Sequence, residues 1–190
     1  MEQGGFNFAA AEVAQTEVPV VLPLADAHLL YWPQWVDRPL SGQWWEQLQR
    51  ELPWQQSAIQ VYGRRVMQPR LSCWVADPGV SYTYSKTRHE PHPWVAPLME
   101  IRQRLQAHCK LRFNSVLGNF YRDGQDGLGW HSDNEPELGP QPWIASLSFG
   151  HARRFVLRRR DQHSQQHSIR LGHGSLLLMG GTTQQYWQHA

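Results

Sequence analysis

Two stretches of the chain repeat their apolar residues with a helical period. Trp44, Leu48 and Leu52 recur at every fourth position, and Ser41 stands where a hydroxyl can cap the N-terminus. Leu98, Ile101 and Leu105 trace a second stripe, with Pro97 suited to the first turn, where its missing N–H costs nothing. From residue 113 the period shortens to two. The run from Phe113 to Tyr121 is followed by the turn-forming pairs Asp123-Gly124 and Asp126-Gly127, and residues 142–149, 153–157, 167–171 and 175–179 read as further short strands. Residues 57–85 are strand-like as well, with Val61, Tyr62, Tyr82 and Tyr84 offering aromatic and apolar surface. The pattern predicts an α+β, mainly β fold, a sandwich or small barrel with helices padding a sheet. No internal repeat or low-complexity tract interrupts it.

With 190 residues, 41% hydrophobic and 18% charged, the chain suffices for one well-buried core but not comfortably for two. A single domain over residues 17–190 is expected, behind a loosely held tail of residues 1–16. Glu2 and the breaks at Pro19, Pro23 and Asp26 argue against a secretory signal or a membrane span, so a soluble, cytoplasmic monomer is expected. Cys73 and Cys109 form no CxxC pair, which gives no sign of a disulfide framework or a thiolate zinc site. The formal charge is only +2, yet the arginines cluster: Arg64, Arg65 and Arg70 in one segment, Arg153, Arg154, Arg158, Arg159 and Arg160 in another. Such clusters suit a nucleic-acid backbone or a solvated face, and charge alone does not choose.

The candidate chemistry lies in Trp130-His131-Ser132-Asp133-Asn134-Glu135. Residues two apart on an extended chain point the same way, so His131 and Asp133 can grip one ion. A second histidine from a distant strand would complete a two-His, one-carboxylate triad, which leaves positions open for co-substrate and O2 and suits Fe(II) better than structural zinc. His173 and His189 both lie near probable strands. His163 and His167, at helical spacing in a Gln- and Ser-rich stretch, read better as a solvated hairpin loop. HxD alone is a weak signal, and its surroundings decide.

Those surroundings run, in order, through Phe113 to Gly124, Gly129 to Glu135, Ile144-Ala145-Ser146-Leu147-Ser148-Phe149-Gly150, Arg153, Phe155, His173-Gly174-Ser175-Leu176-Leu177-Leu178-Met179 and Trp187-Gln188-His189. Taken together the segments resemble the AlkB family of Fe(II)- and 2-oxoglutarate-dependent nucleic-acid dealkylases, most closely its duplex-DNA repair branch. The likeness reaches back more thinly through Pro69-Arg70 and Tyr82-Thr83-Tyr84-Ser85.

The resemblance implies a double-stranded β-helix (jelly-roll) core over about residues 113–190, with N-terminal helices and a nucleotide-recognition lid over about 55–90. It implies His131, Asp133 and His189 as iron ligands, and Asn119 and Tyr121 as hydrogen-bonding partners of 2-oxoglutarate. Tyr62, Gly63, Arg64, Arg70, Tyr82, Tyr84, Glu135 and Arg153 would contact substrate. Tyr84 and the His131 ring would sandwich the damaged base, and Val61-Tyr62-Gly63 would act as a wedge in duplex DNA. With Fe(II), 2-oxoglutarate and O2 the implied activity is oxidative dealkylation of N-alkylated bases in DNA, with RNA as a second substrate class. The family also carries, beyond its last iron ligand, further strands bearing an arginine for 2-oxoglutarate. Here Ala190 follows His189 directly, so those strands are expected to be missing. Two other functions compete: an oxygenase of the same fold acting on another substrate, and a catalytically impaired nucleic-acid binder.

Overall fold

A computed structural model describes residues 18–61, 63–80, 82–84, 87–89 and 91–190. The first half contains β1 (Val20–Val21), β2 (His28–Trp32), α1 (Arg38–Glu51), β3 (Ala58–Val61), β4 (Arg64–Met67), β5 (Leu71–Ala76), β6 (Tyr82–Tyr84), β7 (Thr87–His89) and α2 (Ala96–Cys109). The second half is almost all strand: β8 (Ser115–Phe120), β9 (Ile144–Ser148), β10 (Arg153–Arg159), β11 (Gln166–Leu171) and β12 (Ser175–Gly180), then a one-turn helix α3 (Thr183–Tyr186) running into β13 (Trp187–His189). The mainly β expectation holds.

Two antiparallel sheets carry the architecture, one in the order β1-β2-β12-β9 and one in the order β11-β10-β13. β12 is their shared wall. Every residue of Ser175–Gly180 is buried, which explains why this strand is a continuous apolar run rather than an alternating one. Leu176 and Leu178 face a core with Trp44 and Leu48 of α1 and Leu98, Ile101 and Leu105 of α2. Leu177 and Met179 face the other way, into a core with Leu29, Leu157, Leu171 and Trp187. The alternation of one strand therefore builds three layers: helices, first sheet, second sheet.

Both amphipathic helices form on the expected stripes, but α1 starts earlier than its sequence suggests. Asp37 is the cap, its Oδ1 accepting the Leu40 N–H at 2.9 Å, and a proline occupies the first turn. Ser41 sits inside the helix, fully buried, and its hydroxyl donates to the Asp37 carbonyl at 2.7 Å. An acidic cap one turn upstream satisfies the same orphan amides and frees Ser41 for a tertiary contact. Farther along, β10 and β11 pair from Arg153↔Leu171 to Arg158↔Gln166. His163 falls in the connection between them, whereas His167 lies in β11 opposite Leu157, so this pair is not on a helix and only His163 is a loop residue. Three two-stranded ladders, β3-β4, β5-β8 and β6-β7, complete the described strands. No helix of the described residues is long and apolar enough to cross a membrane.

Candidate metal centre

His131 and His189 are brought together by backbone pairing. The two residues form an isolated antiparallel bridge, His131 N–H to His189 O at 3.1 Å and His189 N–H to His131 O at 2.8 Å. β13 in turn pairs with β10, placing His189 opposite Leu157. Alternation turns Trp187 and His189 inward, both buried, and Trp187 anchors the strand by donating its indole N–H to the Ala25 carbonyl at 2.9 Å. Asp133, two residues after His131, then faces both rings: its carboxylate oxygens lie 3.7 Å from His131 Nε2 and 3.6 Å from His189 Nε2. Among the described residues these three form the one cluster of metal-ligating side chains, with donor atoms within 4.8 Å of one another.

Several contacts preset the donors. The His131 Nδ1–H donates to the Gly129 carbonyl at 2.8 Å, which leaves the Nε2 lone pair directed at the cluster. Phe155 stacks on the His189 ring with centroids 5.2 Å apart. The Asp133 N–H donates to Oε1 of the buried Gln184 at 2.9 Å, and the Ser132 hydroxyl donates to the Trp187 carbonyl at 2.9 Å. Neither Gln184 nor Ser132 carried a sequence signal, because each works through a partner about fifty residues away along the chain.

The electrostatics fit a cation. Burial, with the nearby Glu135 charge adding to it, pushes the Asp133 carboxyl up against the opposing pull of His131. Burial pushes the His189 imidazole down to about 3, and proximity to His131 adds to that. A neutral buried imidazole and a carboxylate short of counter-charge are the donors a divalent metal satisfies, since the ion supplies the charge that desolvation removes. A donor set of one carboxylate and two imidazoles suits Fe(II).

The rival third ligand is engaged elsewhere. His173 Nδ1 accepts the Gly150 N–H at 2.9 Å, so its Nε2–H donates to Ser41 Oγ at 2.8 Å. Both ring nitrogens are therefore used in tying two strand turns to α1.

Asn119 and Tyr121 come together with two arginines that the sequence had grouped with substrate contacts. The pairing of β5 with β8 sets Leu71 opposite Phe120, which brings the buried Arg70 to Asn119; Nε donates to Oδ1 at 2.8 Å. The Arg153 guanidinium lies over the Tyr121 ring at 4.4 Å and donates to the carbonyls of Asp123 and Asp126 in the turn between β8 and His131. Burial raises the Tyr121 hydroxyl while Arg70 and Arg153 oppose it. Arg153 and Phe155 alternate onto the same face of β10, so this polar group and the histidine cluster open onto one side of the sheet.

The remaining expected residues separate. Gly63 and the exposed Arg64 lie at the turn of the β3-β4 hairpin, where Gly63 has φ +77°, a conformation that favours glycine. Tyr62 lies outside the described residues. Tyr82 and Tyr84 pair with His89 and Thr87 through their backbones, and their side chains lie outside the described ones. The second arginine cluster is not one basic face: Arg153 turns inward, Arg158 bonds Gln188, and Arg159 bridges Asp26 and Asp161 at 2.7 and 2.9 Å. A cavity of about 530 Å³ lined by Trp32, His108, Cys109 and Trp143 contains none of the cluster residues.

The 2OG-Fe(II) oxygenase superfamily model matches residues 28–190. A mouse protein, "Alpha-ketoglutarate-dependent dioxygenase alkB homolog 3", is 38% identical over 176 residues, which is 88% of this chain and 61% of that protein. "DNA oxidative demethylase ALKBH2" of Arabidopsis thaliana is 36% identical over 191 residues, 85% of this chain and 60% of its own length. The human protein of the latter name is 40% identical over 139 residues, 70% of this chain and 53% of its own. The chain thus spans between half and about three fifths of the length of these relatives.

Proposed function

The chain belongs to the 2OG-Fe(II) oxygenase superfamily and, within it, to the AlkB family, and from that premise we propose that it is an Fe(II)- and 2-oxoglutarate-dependent dioxygenase that removes alkyl groups oxidatively from bases in DNA. The observation that carries the reading is the meeting of His131, Asp133 and His189 within 4.8 Å. Names of the relatives support the substrate class, since two of them are DNA oxidative demethylases.

His131 and His189 offer neutral imidazole nitrogens and Asp133 one carboxylate oxygen. When bound, Fe(II) supplies the oxidation, coupling O2 and 2-oxoglutarate to hydroxylation of the N-alkyl carbon, with succinate, CO2 and an aldehyde as by-products and the unmodified base as product. Asn119, Tyr121, Arg70 and Arg153 hold the anionic co-substrate: two guanidiniums provide charge, and the amide and phenol provide direction. Phe155 packs on the back of His189 and keeps water from that side. Glu135, close enough to Asp133 to influence its ionisation, contacts the edge of a base sandwiched by His131 and Tyr84.

The strands of residues 113–190 belong to a double-stranded β-helix core, whose first sheet β1 and β2 extend from outside that range, and the β3-β4 and β6-β7 hairpins belong to a recognition lid over residues 55–90. In this reading Tyr62 is the wedge, and Gly63 and Arg64, at the turn of the β3-β4 hairpin, are substrate contacts, Arg64 to a phosphate. The protein acts as a cytoplasmic monomer on alkylated DNA, with RNA as a second substrate class.

The test is an anaerobic titration of the 190-residue chain with Fe(II) and 2-oxoglutarate. A weak visible metal-to-ligand charge-transfer band should develop, and admission of air should release formaldehyde from a 1-methyladenine or 3-methylcytosine oligonucleotide. Absence of the band refutes the oxygenase. A band with 2-oxoglutarate turnover but no formaldehyde refutes the substrate.

A further inference from the structure

The metal centre has a back as well as a front. His131 and His189 point into the cluster, the Gln188 side chain alternates to the opposite face of β13, and Trp130, the residue before His131, meets the same arginine that Gln188 does. Arg158 is the register partner of Gln188 on β10. Its Nε and a terminal nitrogen both donate to Gln188 Oε1, at 3.0 and 2.9 Å, and its guanidinium lies over the Trp130 ring at 4.2 Å. One planar cation is therefore hydrogen-bonded to the chain neighbour of one histidine and stacked on the chain neighbour of the other.

The need for such a clamp is visible in the backbone. Backbone pairing joins the segment around His131 to β13 by a single bridge of two hydrogen bonds, to which the Ser132 hydroxyl adds a bond to the Trp187 carbonyl, and residues 132–135 belong to no strand. The bonds of Ser132 and Asp133 act on the chain after His131, whereas metal ligands must hold their positions to a few tenths of an ångström, so a contact on the chain before His131 adds a constraint that these do not supply. We propose that Arg158 is a positioning residue for the metal centre, fixing the separation of His131 and His189 from behind by holding Trp130 and Gln188 together. The inference rests on the iron-binding reading above. Lysine cannot substitute, because it has neither the fork that reaches one amide oxygen twice nor the flat face that stacks on indole.

The test compares the full chain with Arg158→Met, Arg158→Lys and Gln188→Met, with Asp133→Ala as the metal-null control. Fe(II) and 2-oxoglutarate are titrated anaerobically, and the charge-transfer band is read at saturation, where a loss of global stability alone would not move it. Arg158→Met is expected to weaken metal binding about tenfold and to shift or broaden the saturated band. Arg158→Lys should resemble it. Combining Arg158→Met with Gln188→Met should add little beyond either alone, since both break one link. If both Arg158 variants keep the parent's affinity and band while Asp133→Ala binds nothing, the clamp is overturned and the metal reading stands. If the parent binds no metal, or Asp133→Ala binds as the parent does, the metal reading falls and the clamp with it.

Discussion

Removing the Asp133 carboxylate should have opposite effects on the metal-free and metal-loaded protein. Asp133 sits 3.6–3.7 Å from two imidazole nitrogens, and burial holds its pKa above the ordinary value. A carboxyl with a raised folded-state pKa stabilises the fold in acid and loses that contribution as pH rises through the raised pKa, so once ionised the group is a liability. Asp133→Ala should therefore leave the apo protein at pH 7.5 as stable as the parent or slightly more so. With metal the order reverses. A ligand that binds only the folded state at a hundred times its Kd adds about 2.7 kcal/mol. For a domain of this size each kcal/mol moves the melting temperature by about 2–4 °C, so saturating Mn(II) with 2-oxoglutarate should raise the parent's Tm by roughly 5–10 °C. Asp133→Ala should show no metal-dependent shift. Calorimetry or dye-monitored melting under inert gas measures both quantities. A full metal shift in Asp133→Ala would place the ion elsewhere, and an apo variant destabilised by more than about 1 kcal/mol would make Asp133 a structural group.

Three further outcomes are expected. His173→Ala breaks the links to Gly150 and Ser41 and should cost about 1–3 kcal/mol in denaturant unfolding while metal affinity stays at the parent's value; loss of metal at unchanged stability would restore His173 as a ligand. Tyr62→Ala should slow repair of a lesion in duplex DNA more than in a single strand, because only the duplex leaves a gap to fill, and equal slowing on both would mean that Tyr62 is not the wedge. Burial raises the Cys73 thiol to about 11, so its contribution to stability is complete below pH 9 and disappears as pH climbs towards 11, on the order of 2–3 kcal/mol in all. Cys73→Ala should remove a large part of that alkaline decline, with the Cys109 thiol and the half-buried Tyr121 hydroxyl, both raised by burial, contributing in the same direction; an unchanged decline would assign all of it to other groups.

What the sequence by itself determined is what repeats or stays close along the chain. The two helical stripes and the short strands after residue 113 express local periodicity, and each appears in the structure, whereas of the two Asp-Gly pairs Asp123-Gly124 lies in a bend and Asp126-Gly127 forms no turn. Residues 175–179 read only as one more short strand, and the structure shows that the unbroken run Leu176-Leu177-Leu178-Met179 is buried on both faces. The HxD pair was legible because alternation on an extended chain puts residues two apart on one side. Tertiary structure decided whatever depends on a partner far away. His173 and His189 look alike as late histidines near strands, and only folding shows one spent between Gly150 and Ser41 and the other bridged to His131. Ser41 looked like a cap until Asp37 took that place and a histidine 132 positions away took the hydroxyl. Five arginines looked like one basic cluster, yet strand alternation and their acceptors send Arg153 to Tyr121, Arg158 to Trp130 and Gln188, and Arg159 to two aspartates. Gln184 carried no signal, because a buried amide gains its role only when the fold delivers the N–H of Asp133 to it. Periodicity is a property of neighbours, whereas the partner of a polar side chain is chosen by the packing of the whole chain.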